Sequence, residues 1–215
     1  MLPDLVSALR CIKPHEDSWL VAATYRLEGR HIAEGVLGCP VCHAEYPVRG
    51  GIADFTGGAA AGDDDGDGCI AASVEEAVRL AALLDLAEPR SPVLLGGAWG
   101  ALLPLLRDAV PATWLLVNAV PPAGEPTASA LRAAGALPFA TGGAHGVALD
   151  ATTARDAGIM MGAVRALRPR GRLVAPVTAP VPGGMRELAR DGRHWVAERV
   201  PEPEVTAPQP LLRRR

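Results

Sequence analysis

The chain reads as an α/β protein: a doubly wound, mostly parallel sheet preceded by a small β-rich ribbon. Three observations predict this. Short continuous apolar runs recur at 92–95 (PVLL), 114–118 (WLLVN), 146–150 (GVALD) and 172–177 (RLVAPV). Helical segments separate them, the pattern of strands buried on both faces beneath crossover helices. Residues 1–55 differ in kind, being rich in Cys, His and β-like runs such as 19–25 and 31–37.

Each element has a local reason. Ser73-Val-Glu-Glu76 is a capping box, so a helix follows to about residue 87. A strand at 92–95 leads into glycines and a helix over 100–108. The second strand is 114–118, and 129–134 reads as a short helix. After the third strand a helix spans 156–167, stopped by Pro169 and Gly171 before the fourth strand. Segments 186–189 and 194–200 complete the sheet as an antiparallel edge pair.

The organisation expected is therefore a ribbon over 1–55, an acidic Gly/Ala/Asp linker over 56–72, the α/β domain over 73–200 and a disordered Pro-rich tail over 201–215. Hydrophobic residues are 49% of the 215 and aromatics only 4%, so the core is built from Ala, Leu and Val. A net charge of −3 leaves no basic field to gather nucleic acid. The uncharged stretches 91–106 and 109–124 contain Pro and Gly and fall short of the ~18–20 residues of a membrane span. With no basic, apolar leader at the N-terminus, a cytoplasmic protein is expected.

Cys39-Pro-Val-Cys42 is a knuckle that turns two thiolates onto one tetrahedral ion. Cys11 and His15, spaced C-x3-H, supply two further ligands, with His31 and His43 as substitutes for His15. A structural zinc fits, because so small a region builds little core and ligation supplies folding energy. Asp63-x-Asp65-x-Asp67-Gly68 opens like a calcium loop, but Val74 stands where a closing Glu is required, so a solvated acidic linker is expected.

Two resemblances follow from these residues. Cys39 to Phe55 (CPVCHAEYPVRGGIADF) resembles the second half of the small zinc-ribbon subunits that activate tRNA and protein methyltransferases. That family carries a second C-x2-C where this chain has Cys11 and His15. The stretches 135–150 (GALPFATGGAHGVALD) and 163–177 (AVRALRPRGRLVAPV) resemble class I S-adenosylmethionine-dependent methyltransferases, which implies a Rossmann-like sheet with any ligand at the carboxyl ends of its strands.

On that resemblance the cofactor positions are Gly96, Gly97, Gly100, Asn118 and Leu137. Leu95 stands where the family has an acid, and Trp99, an indole able to fill the pocket itself, where it has a glycine. Asn118 replaces the carboxylate that accepts both ribose hydroxyls, and Ala133 the acid that meets adenine. Asp150 and His145 are the candidates for a catalytic base, Asp150 equally for a helix cap. Three lost acids imply weak or lost S-adenosylmethionine binding and a role in binding a protein partner. The alternative is an active methyltransferase that uses backbone contacts and Asn118.

Overall fold

A computed structural model describes residues 1–58, 70–122 and 128–201. The calcium-loop-like stretch 63–68, Cys69 and the tail beyond Pro201 lie outside the described residues. A one-turn helix α1 (Pro3–Val6) precedes β1 (Val21–Glu28), β2 (His31–Gly38), β3 (Glu45–Arg49) and β4 (Ile52–Asp54). Then come α2 (Val74–Leu83), β5 (Val93–Gly96), a 3-10 turn (Gly97–Leu102), α3 (Leu103–Ala109), β6 (Trp114–Val117), β7 (Ala130–Arg132) and β8 (Ala144–Ala148). The last elements are α4 (Ala151–Arg155), α5 (Ala157–Ala166), β9 (Leu167–Pro176), β10 (Met185–Arg190) and β11 (His194–Arg199).

All eleven strands form one sheet, ordered β1-β2-β3-β4-β7-β6-β5-β8-β9-β11-β10. From β5 the chain steps outward to β6 and β7, then returns to the other side for β8 and β9. That is the doubly wound order, and its switch point lies between β5 and β8. The sheet is mixed rather than mostly parallel: five of its ten pairings are parallel and five antiparallel. The centre is parallel because helices and long crossovers connect it. The hairpins of the N-terminal region and the β9-β11-β10 meander add the antiparallel half.

The N-terminal strands are sewn to the rest by β4, which pairs in parallel with β7 through Ile52, Ala53 and Asp54 against Ala130, Leu131 and Arg132. Leu9, Leu37, Tyr46 and Phe55 share a buried cluster with Leu131, Phe139, Leu149 and Ile159 on one face of the sheet. The other face buries Leu80, Leu84, Trp99, Leu106 and Val174. Neighbouring residues divide between them, with Leu94 and Leu115 on the first face and Leu95 and Leu116 on the second, as the pleat requires.

Several elements depart from their sequence reading: β9 begins at Leu167, so Pro169 and Gly171 lie within the strand, and Ala151–Arg155 form a helix not among those expected. Residues 130–132, expected in a helix, form strand β7. Ala and Leu favour helix locally, but here they fill a slot between two strands, and ladder pairing on both sides outweighs a propensity of a few tenths of a kcal/mol (~0.2–0.7). Elsewhere the local signals operate as expected. Ser73 accepts the Glu76 N–H at 3.2 Å as the cap of α2, and Asp156 caps α5 through the amides of Gly158 and Ile159. Among the described residues no helix is long and apolar enough to cross a membrane.

Candidate functional site

The connection between β2 and β3 forms the knuckle. The Cys39 N–H donates to the Ala44 carbonyl at 2.9 Å and the His43 N–H returns to the Cys39 carbonyl at 3.0 Å. A second tight loop starts where the Cys11 N–H donates to the Ser18 carbonyl at 3.1 Å, which folds His15 back toward Cys11. The two loops bring one ligand atom each from Cys11, His15, Cys39 and Cys42 within 4.8 Å of one another. His31, in β2, and His43, in a left-handed conformation after the knuckle, stand outside this group.

The spacing can be tested against a metal. Zinc–sulfur bonds of ~2.3 Å in a tetrahedron place two sulfurs ~3.8 Å apart, and a sulfur and an imidazole nitrogen ~3.6 Å apart. Cys11 Sγ and Cys42 Sγ are 3.7 Å apart, and Cys39 Sγ and His15 Nε2 3.4 Å. The residues fit: three soft thiolates and one imidazole can hold zinc as a closed structural site. The Tyr46 hydroxyl, 3.1 Å from Cys11 Sγ, is placed to donate to that thiolate and fix its direction.

The second region lies at the carboxyl ends of β5, β6 and β8. Gly97 has φ +58°, and a Cβ there would lie 2.1 Å from an oxygen of Asp150. That carboxylate accepts the Ala98 N–H at 2.9 Å with one oxygen and caps α4 through the Thr153 N–H at 2.8 Å with the other. Gly96 abuts Leu149 and Thr153, and Gly100 abuts Ala119. So Asp150 is a helix cap that also fills the concavity of the glycine loop. Trp99, expected to fill that pocket, is instead fully buried in the second cluster, its ring 5.1 Å from that of His194.

Asn118 ends β6 with φ +52°. Its amide donates to the Ala133 carbonyl at 2.8 Å and accepts the Ala133 N–H at 2.8 Å. The side chain thus extends the β6–β7 ladder by one step. Leu137 is buried against α5, where a Cβ on Gly162 would lie 2.5 Å from that of Leu137. His145 sits at the amino end of β8, away from Asp150, with Nε2 3.0 Å from the Asp85 carbonyl. Burial holds its pKa below the ordinary histidine value. It is a core histidine at the wrong end of the strand to face a ligand edge.

The solved structures that this fold resembles are methyltransferases. TrmN from Thermus thermophilus matches at 17% identity and a TM-score of 0.44, over 62% of this chain and 50% of that one. Geranyl diphosphate C-methyltransferase from Streptomyces coelicolor A3(2), solved with S-adenosyl-L-homocysteine, matches at 17% and 0.39, over 47% and 42%. A SAM dependent methyltransferase from Aquifex aeolicus matches at 13% and 0.37, over 60% and 99%. The chain thus spans half or less of the length of the first two. No family model and no curated protein matches the sequence.

The sequence readings of Gly97, Asn118 and Asp150 fall at strand ends, but their long-range partners were not legible. Asp150 with Thr153 three residues later is a legible cap signal; its second bond, to Ala98, crosses 52 residues and has none. The Asn118 pair gives a direct test. In Asn118→Asp the carboxylate can still accept the Ala133 N–H but meets the Ala133 carbonyl without a donor. Urea unfolding should show a loss of about 1–3 kcal/mol; an unchanged midpoint would mean the pair is dispensable.

Proposed function

We propose that this is a methyltransferase-like protein whose S-adenosylmethionine site is filled by its own residues, and that it acts as a zinc-bearing scaffold or regulatory subunit for a protein partner. One observation carries the reading. The residue placed to receive both ribose hydroxyls, Asn118, uses donor and acceptor alike on the backbone of Ala133, the residue placed to meet adenine. Two positions that would face one nucleoside are bonded to each other. The Asp150 carboxylate adds to this, since it lies against Gly97 and both its oxygens already accept backbone N–H groups, from Ala98 and Thr153. On this reading the residues present do not fit the cofactor.

What the ribbon contributes is folding energy and surface. Structural zinc would cross-link loops that carry few apolar residues, while the strands beyond it present themselves to a partner. The net charge of −3 favours protein over nucleic acid as that partner.

The test is a calorimetric titration of the zinc-loaded chain with S-adenosylmethionine and S-adenosylhomocysteine. No heat and no thermal shift at millimolar ligand is the expected result. Binding near micromolar would overturn the reading and leave an active methyltransferase as the explanation of the fold.

A further inference from the structure

The two edges of the eleven-stranded sheet are built differently. β10, at one end, carries Arg186, Glu187 and Arg190 among its six residues, and all three are ion-paired. Charges on an edge strand discourage pairing with another chain. β1, at the other end, is longer, at eight residues, and seven of them are exposed. Here large apolar side chains are exposed: Val21 is 57% exposed, Tyr25 72% and Leu27 58%, with Trp19 at 64% just before the strand, while the charges, the ion-paired Arg26 and Glu28, are confined to its last three residues. Register shifts near Arg26 coil the strand, but the run from Val21 to Tyr25 carries no charge. Such an edge is open to strand addition.

The neighbourhood of β1 is self-complementary. A groove of about 630 Å³ runs beside its first half, lined by Pro3, Val6, Arg10, Leu20 and Ala22. The protruding Tyr25 and Leu27 lie in its second half. An antiparallel pair of identical strands sets the second half of each against the first half of the other. Tyr25 and Leu27 of one copy would then meet the groove of the other, twice, around a two-fold axis. Glu28, paired with Arg26, would arrive at the end of the partner strand where Arg10, paired with Asp17, lines the groove, so the charges there would form one alternating cluster. An isologous contact requires a knob and a hole on the same patch, and β1 with its groove has both.

We propose that this protein forms a two-fold dimer through antiparallel pairing of β1 with β1 of a second copy, making one continuous sheet across the dyad. The inference does not rest on the cofactor reading and stands whether or not S-adenosylmethionine binds.

The test is sedimentation of the zinc-loaded full chain between about 1 and 100 μM, alongside Leu27→Lys and Tyr25→Lys. Both substitutions fall on exposed side chains, and the fold of each variant is checked by its unfolding midpoint. The expected result is a species of twice the chain mass that shifts at least tenfold in dissociation constant, or is lost, in both variants. A control, Leu188→Lys on the opposite edge, should leave the dimer unchanged. A chain that is monomeric throughout, or a dimer indifferent to Leu27→Lys and Tyr25→Lys, would overturn the proposal.

Discussion

Cys39→Ser will lose its bound zinc and with it most of the stability of the whole chain, not of the N-terminal strands alone. Structural zinc contributes apparent free energies of roughly 10–16 kcal/mol in small zinc domains, as much as the total stability of an ordinary domain. Cys39 is the buried member of the four ligands. Removing it leaves two thiols and an imidazole, too few to close a tetrahedron. The loss should propagate because Leu9, Leu37, Tyr46 and Phe55 pack in one cluster with Leu131 and Phe139, and because β4 is the ladder partner of β7. Metal analysis should therefore give one zinc per wild-type chain and a small fraction of that for the variant. Its thermal transition should fall steeply and become indifferent to chelator. Full metal retention in Cys39→Ser would exclude this site.

The second large effect is expected at Gly158, near the start of α5. A Cβ there would lie 1.8 Å from the carbonyl oxygen of Gly135 and 2.3 Å from its carbon. Both obstacles are backbone, so no rotamer change relieves the clash. The Gly135 segment is also pinned, because its N–H donates to Asp156 at 2.7 Å and the same carboxylate caps α5. Gly158→Ala must push the loop and the helix apart. Overpacking of this kind costs about 1–3 kcal/mol and more where nothing can yield. Gly192, with no atom within 4 Å of a built Cβ, is the control, and Gly192→Ala should change the urea midpoint little. If Gly158→Ala matched that control, the loop would not be pressed onto α5. The strand ends would then be more open than the contacts of Gly97, Gly100 and Asn118 make them.

Much of the architecture was legible before any coordinates. Four short apolar runs separated by helices gave the doubly wound centre, because a strand buried on both faces leaves a continuous apolar signature. The ribbon ligands were legible for a different reason: a tetrahedral ion demands a C-x2-C turn, and few alternatives remain in a chain with four cysteines. β7 was misread because three residues carry too little period to distinguish strand from helix, and its identity depends on strands whose pairing partners lie 78 and 14 residues earlier in the chain (Ile52 and Leu116 with Ala130).

By itself the sequence determined the four central strands and which residues can bind zinc. Those are properties of local pattern and residue type. Only the tertiary structure decided what packs against the strand ends. Asp150 comes to Ala98 across 52 residues, Asn118 to Ala133 across 15, and Gly158 to Gly135 across a crossover. It also decided that the ribbon and the α/β region share one sheet, with β1 and β10 as its two edges. Such pairings belong to the fold because they join segments whose sequences carry no mark of each other. Their energy exists only once the strands that hold both partners are in register.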